Sequence, residues 1–191
     1  MNARLPLAMT IVVGAIVCTQ CGTTSVDAAA YERSNNAFAT VYRVLQHPRC
    51  LNCHPAGTVP LQGDDSRLHG QNVQSGPDGK GLYALRCANC HLDRNSPGAN
   101  LPPGAPGWHL PHPRMPLVFE GRSAAQLAQQ LADPAHNGNR TPADLLHHVT
   151  EDPLVLWGWA PGDGRTPVPV PHAEFVGAMR TWIEGGCQVP R

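Results

Sequence analysis

Two pentapeptides, CLNCH at residues 50–54 and CANCH at residues 87–91, share the pattern Cys-x-x-Cys-His and start 37 positions apart. Two cysteines at this spacing occur in thioredoxin-like redox centres, in zinc ribbons and at sites of covalent haem attachment, and only haem attachment needs the adjacent histidine. A zinc ribbon would join all four cysteines on one ion, yet it would leave both histidines unused, and the gap exceeds the ribbon spacing of about 15 to 20 residues. The repeated pattern therefore predicts two covalently bound haem c groups.

Within each pentapeptide, the cysteines and the histidine have separate predicted roles. Cys50 and Cys53 lie one helical turn apart, so both thiols reach the two vinyl groups of one haem from the same side. His54 follows directly and is placed to bind the iron as the proximal ligand. On these two motifs the chain resembles the dihaem c-type cytochromes. The corresponding residues of the second motif are Cys87, Cys90 and His91.

The start of the chain has the pattern of a secretory signal peptide. A single arginine precedes an apolar run from Leu5 to Val17, and Ala28-Ala29-Ala30 supplies a cleavage site of small residues. Residues 1–30 are therefore predicted to be removed, and the mature protein is predicted to be periplasmic. The apolar run is shorter than the roughly 20 residues that span a membrane. Cys18 and Cys21 would allow a lipid anchor, but neither follows a small residue.

The composition limits the partners and predicts a loop-rich fold. The 14 basic residues balance the 14 acidic ones, and there is no basic run, so we expect no binding to nucleic acid. No second long apolar stretch predicts a membrane span in the mature chain. The 20 prolines and 19 glycines predict extensive loops, which two buried porphyrins would help to pack. Cys187 remains outside both motifs and is expected to be a buried thiol near the chain end, with an intermolecular disulfide as the alternative.

Hydrophobic spacing and capping residues predict five helices and no strands. Ser123 with Gln126 forms a capping-box pattern, and Thr141-Pro142 is a strong helix start. Apolar stripes containing Phe38 in the first helix and Trp182 in the last are expected to cross. The predicted helices cover residues 34–46, 80–91 and 123–133, a segment that starts at Thr141 and bears His147 and His148, and residues 172–184.

The spacing of the motifs predicts the domain organisation. Two tandem cytochrome domains would separate their motifs by about 100 residues, so a separation of 37 makes the two haems neighbours. Residues 31–80 are interpreted as a first haem-binding segment ahead of a second-haem, cytochrome c-like unit at 81–191, within one compact domain. The predicted fold class is mainly α and loop-rich: a c-type cytochrome unit with an additional N-terminal haem-binding segment.

A narrower resemblance rests on four segments: HPRCLNCHPAG at 47–57, PPGAPGWHLP at 102–111, VFEGRS at 118–123 and TEDPLVLWGWAPGDGRTPVP at 150–169. Together they resemble a family of bacterial haem proteins described as isoquinoline 1-oxidoreductase subunits. The resemblance implies partnership with a periplasmic molybdenum hydroxylase of the xanthine oxidase type. The cytochrome would take the electrons that such an enzyme removes from its substrate and pass them on towards the respiratory chain.

Two classes of function are compatible with two haems. In an electron-transfer protein, both irons are six-coordinate and redox protein partners dock over an exposed haem edge. In an enzyme of the dihaem peroxidase kind, one iron keeps a vacant position for hydrogen peroxide beside acid and base groups. No sequence feature identifies such groups, so we expect an electron carrier without catalytic residues.

The distal ligands are predicted from position along the chain. His69 lies 15 residues after His54 in a polar segment, and we expect it to be the distal ligand of the first iron, with His109 and His112 as competitors. For the second iron, Met115 precedes a proline, as the thioether ligand does in many single-haem cytochromes. His148 lies 57 residues after the second motif, on a capped helix ahead of the terminal helix, and is the predicted ligand.

Overall fold

The computed structural model describes residues 23–98, 100–162 and 164–191. Most of the predicted signal peptide, including Cys18 and Cys21, lies outside these residues. Within them the chain is mainly helical with long connecting loops, as the sequence predicts. No helix in the described part of the chain combines the length and apolar character that a membrane span requires.

The described residues form six α-helices and two small antiparallel hairpins. The capping box predicted at Ser123 is present, and the helix start predicted at Thr141 is confirmed, where the structure adds a second capping box with Asp144. The helices are α1 Thr23–Leu45, α2 Pro48–Leu51, α3 Ala124–Ala132, α4 Pro142–Glu151, α5 Pro153–Trp157 and α6 His172–Glu184. The strands are β1 Leu61–Gln62, β2 Arg67–Leu68, β3 Gly81–Leu82 and β4 Leu85–Arg86.

The hydrophobic core forms where α1 crosses α6, as predicted. Phe38 and Trp182 are both fully buried, and their rings meet at 4.9 Å with a tilt of 50°. The Ser34 hydroxyl donates a hydrogen bond to the Trp182 carbonyl at 3.2 Å. Burial of large side chains such as these contributes about 1.5–3 kcal/mol each. These contacts therefore hold α1 against α6. The other buried residues of this core come from all four long helices (α1, α3, α4 and α6), the segment before α6 and, at Phe119, the loop before α3.

The predicted helix over residues 80–91 is wrong. The chain there forms the β3–β4 hairpin and then a 3₁₀ turn at Cys87–Asn89. The reason is local, because Gly79 and Gly81 adopt φ values of +77° and +87°, which are left-handed and end any helix. A side chain at Gly81 would also collide with the carbonyl oxygen of Leu85. The expectation that the chain has no strands is likewise wrong, although each strand has only two residues.

Candidate functional site

Two cavities lie beside the two Cys-x-x-Cys-His motifs. The first cavity, of about 490 Å³, is lined by Cys50, Cys53 and His54. The second cavity, of about 780 Å³, is lined by the second motif, Cys87 to His91. Both volumes are typical of sites for small molecules and cofactors, which measure about 300–1,000 Å³.

The first motif forms a single helical turn. The imidazole of its histidine hydrogen-bonds to a backbone carbonyl. The His54 N–H donates to the Leu51 carbonyl at 2.9 Å, which closes the turn behind Cys50 and Cys53. His54 Nδ1 lies 2.7 Å from the Leu117 carbonyl oxygen, and because that oxygen can only accept, Nδ1 is the protonated nitrogen. Burial lowers the pKa of His54 to about 4. The ring is therefore neutral at pH 7, with the Nε2 lone pair free for a metal.

The second motif is built in the same way from different segments. His91 Nδ1 lies 2.7 Å from the Pro103 carbonyl oxygen, so it too is the donor, and Nε2 is again free. Burial lowers the pKa of His91 from its ordinary value. An aromatic ring stacks on each motif histidine: Phe119 on His54 at 3.8 Å and 12°, and Trp108 on His91 at 4.5 Å and 5°.

The residues that orient the motif histidines were not identified from the sequence. Leu117 and Phe119 lie more than 60 positions after His54, and no periodicity connects them with it. Pro103 and Trp108 belong to a proline-rich loop that composition alone describes only as extended. Both loops fall in or beside segments that carry the family resemblance. That resemblance is the only feature of the sequence that pointed to them. A hydrogen bond from the other imidazole nitrogen to a carbonyl is the usual companion of a metal-binding histidine.

His69 lies in the second cavity, opposite His91. The two ring centres are 6.1 Å apart and the planes are inclined by 63°. Two imidazoles that bind one metal from opposite sides, with bonds of about 2.0–2.1 Å, have ring centres roughly 6 Å apart. His69 Nδ1 donates to the Gly70 carbonyl at 2.8 Å, so its Nε2 is available as well.

The placement of His69 corrects the sequence-based pairing, which assigned this residue to the first motif. His69 lines the second cavity and is absent from the residues that line the first. The cause is the β1–β2 hairpin, which pairs Leu61 with Leu68 and holds the His69 N–H on the Pro60 carbonyl at 2.9 Å. The hairpin therefore returns the chain to the region that the second motif reaches.

The structure also places His148 and Met115 beside a different motif from the predicted one. Both were assigned to the second motif, but both line the first cavity, together with the competitors His109 and His112. The segment after Met115 runs behind His54, where its carbonyl and aromatic ring contact the imidazole. Since α3 and α4 follow this segment directly, α4 faces the first motif.

Hydrogen bonds distinguish the candidate ligands in the first cavity. His148 Nδ1 pairs with the Asp152 carboxylate at 3.1 Å, which leaves Nε2 free. Among neighbouring charged side chains, His148 contributes most to lowering the pKa of His54. His112 Nδ1 accepts the Arg114 N–H at 3.1 Å, so the proton of a neutral His112 ring sits on Nε2 and blocks metal binding.

Met115 and His109 occupy less suitable positions in the first cavity. The Met115 sulfur accepts a hydrogen bond from the Gly138 N–H at 2.7 Å. His109 is exposed, and its Nδ1 contacts the Gly107 carbonyl at 2.5 Å. His109 also lines the second cavity, as do Arg49 and Cys53, so the two cavities share a wall.

The cysteines of both motifs are free thiols in the structure. Within the described residues, no group of three or more His, Cys, Asp or Glu side chains is arranged to hold a metal ion. Burial raises the pKa of Cys50 to about 12 and that of Cys53 to about 11, so both are protonated thiols at neutral pH when nothing is bound to them. Among the described residues, the cysteines outside any disulfide are Cys50, Cys53, Cys87, Cys90 and Cys187.

Gly104 allows the Pro103 carbonyl to reach His91. A side chain at Gly104 would collide with the carbonyl oxygens of Leu92 and Arg94, which directly follow the second motif. The Gly104 N–H also donates to the Asn95 side-chain oxygen at 2.9 Å. The close approach of these two backbone segments therefore depends on the absence of a Cβ atom.

Substitution of Gly104 by alanine is expected to destabilise the second cavity. Overpacking of this kind costs about 1–3 kcal/mol, and the collision is with backbone, which cannot turn aside as a flexible side chain does. Gly57→Ala is the matched control, because nothing lies within 4 Å of a Cβ atom at that glycine. Urea unfolding measures both variants. Equal unfolding midpoints for Gly104→Ala and Gly57→Ala would contradict the expectation.

Comparisons of the chain with protein-family models, with curated proteins and with solved structures gave no match. The resemblance to the isoquinoline 1-oxidoreductase subunits therefore stays a prediction from the sequence. The proposed function therefore rests on the residues and geometry of the two cavities.

Proposed function

We propose that the protein is a periplasmic dihaem c-type cytochrome that transfers electrons and has no turnover of its own. Each cavity would hold one haem c, bound through Cys50 and Cys53 in the first and through Cys87 and Cys90 in the second. A bound haem supplies an iron that alternates between the ferric and ferrous states. The observation that carries the proposal is the matched orientation of the motif histidines, each with Nδ1 on a carbonyl and Nε2 free.

The residues of the first cavity fit a haem. Its walls include apolar core side chains against which a porphyrin face can pack, namely Leu45, Phe119, Leu131, Leu145, Val149, Phe175 and Met179. Arg140 and Lys80 also line the cavity and provide positive charge for the haem propionates. His54 and His148 would be the axial ligands, since both present a free Nε2.

The residues of the second cavity fit a haem in a more polar setting. His91 and His69, whose ring centres lie 6.1 Å apart, would bind its iron. Leu61 and Leu110 are buried apolar residues in its walls. Arg67, Arg86 and Arg165 also line the cavity and would supply positive charge for the propionates. Ligation by two histidines at both irons favours lower reduction potentials than ligation by histidine and methionine.

The shared wall supports electron transfer between the two haems. Cys53, which would carry a thioether bond to the first haem, also lines the second cavity. An electron that enters at one iron would therefore have a short path to the other. We propose that the electrons come from a periplasmic molybdenum hydroxylase-type dehydrogenase and pass to the respiratory chain, with other redox proteins as exchange partners.

The test uses the full chain matured in a periplasm that is competent for c-type cytochrome assembly. Mass spectrometry of its peptides is expected to find one haem on each motif. Under anaerobic conditions, a molybdenum hydroxylase with its substrate is expected to reduce both haems, whereas the same enzyme without substrate serves as the control. Peptides without haem would reject the cofactor assignment. Rapid consumption of hydrogen peroxide by the protein alone would reject the electron-carrier assignment in favour of a peroxidase.

A further inference from the structure

Arg49 is a buried cation in the wall that the two cavities share. It lies in α2, directly before the first cysteine of the first motif, and it lines both cavities. Its side chain is only 4% exposed. Because an ionised group is costly to bury without partners, the contacts of this guanidinium show what keeps it between the cavities.

The β1–β2 turn and the end of α5 hold the Arg49 guanidinium in place. One of its terminal nitrogens donates to the Asp64 carboxylate, and the group lies over the Trp157 ring, 5.6 Å from the ring centre. Asp64 also accepts hydrogen bonds from the Thr166 N–H and hydroxyl, at 3.2 and 2.5 Å. Arg49 Nε, in contrast, has no acceptor among the described residues. This nitrogen is also shielded from solvent, so one donor of the buried cation is left without an acceptor.

The charges of Arg49 and Asp64 do not cancel at the cavities. The Asp64 side chain is 46% exposed, so water screens its negative charge, whereas the Arg49 charge is almost fully excluded from water. Asp64 lines the second cavity but not the first, whereas Arg49 lines both, so the pair contributes a positive potential that is larger at the first cavity than at the second. A ferric haem carries one more positive charge than a ferrous haem, so this potential favours the reduced state of each.

We propose that Arg49, through its buried positive charge, raises the reduction potentials of both haems together. The inference rests on the proposed function, since it requires a haem in each cavity. Each iron takes up one electron from a protein redox partner, and no covalent bond changes. Arg49 keeps its proton throughout, because a guanidinium does not deprotonate in proteins.

Redox titration of the haem-loaded full chain, followed by optical spectroscopy, tests this role. Arg49→Gln is expected to lower both midpoint potentials by about 59 mV, which corresponds to a tenfold change in a one-electron equilibrium. Arg49→Lys keeps the charge and is expected to restore most of that shift. Asp64→Asn is expected to raise both potentials, because it removes the negative partner and leaves the cation.

Arg43→Gln is the matched control. Arg43 also pairs with a carboxylate, that of Glu174, but its side chain is 64% exposed and lines neither cavity, so both potentials are expected to stay unchanged. A shift of only one haem in Arg49→Gln, unchanged potentials, or an equal shift in the control would overturn the inference. If Arg49→Gln does not fold, Asp64→Asn decides the matter, and potentials that fall or stay constant reject it. Absence of covalent haem from the unsubstituted protein would instead reject the proposed function.

Discussion

The double variant Cys50→Ala/Cys53→Ala is expected to lose one haem and its folded helical core together. Cys87→Ala/Cys90→Ala is expected to lose one haem and to keep that core. The sequence provides no reason for this difference, since the two motifs share one pattern. The difference follows from the surroundings of the two cavities.

The first cavity borders the hydrophobic core. A haem bound there would fill space that core side chains leave empty. Seven of its lining residues belong to the main buried cluster. Without the haem, these side chains would lose the packing partner on their cavity side, which weakens the core. Loss of the first haem is therefore expected to unfold α1, α4 and α6.

The second cavity shares no lining residue with the main buried cluster. Its walls are loops, the two hairpins and several charged side chains, so water can occupy it at a lower cost. Removal of the second haem is therefore expected to disorder these loops and to leave the crossing of α1 and α6 in place. The two double variants thus provide a matched pair, with two thioether bonds removed in each.

Circular dichroism and urea unfolding of the two periplasmic products test this prediction. The second-motif variant is expected to retain most of its helical signal and a cooperative transition, and the first-motif variant to show neither. Haem content by mass spectrometry confirms which site is empty. Equal loss of helical signal in both variants would show that the second haem supports the core as much as the first.

The sequence predicted the helices that bury an apolar face and failed where glycine sets the backbone. The stripes containing Phe38 and Trp182 have helical spacing, and the cap at Thr141 has a local mechanism, so both predictions are confirmed. The segment before Cys87 has no such stripe, and two left-handed glycines make it a hairpin. Local sequence patterns thus predicted the main helices but not the conformation of the loops.

The motif residues could be proposed from the sequence alone because the pattern typical of haem attachment occupies five consecutive positions. The partners of those residues could not, because they depend on contacts across the fold. His69 and His148 were chosen by their distance along the chain, and the fold exchanges the two motifs with which they were paired. The β1–β2 hairpin and the segment behind His54 cause this exchange, and neither leaves a periodic pattern in the sequence.

His148→Ala is expected to convert the first haem from a low-spin to a high-spin iron, whereas Met115→Ala is expected to leave its spectrum unchanged. The His148 ring is oriented by the Asp152 carboxylate, which holds Nδ1 and leaves Nε2 free for the iron. Met115 also lines the first cavity, but its sulfur would have to give up the hydrogen bond from the Gly138 N–H before it could bind. We therefore expect histidine, and not methionine, to bind the first iron.

The variant Cys87→Ala/Cys90→Ala provides the sharpest background for this comparison, because its only haem is the first. In it, near-infrared magnetic circular dichroism of the ferric protein is expected to show the charge-transfer band of an iron with two histidine ligands. Adding His148→Ala should abolish that band, and adding His69→Ala should not, since His69 lies beside His91. A histidine–methionine band that disappears in Met115→Ala and survives His148→Ala would assign the first iron to methionine. The first haem would then have a higher reduction potential than the second, because thioether ligation raises it.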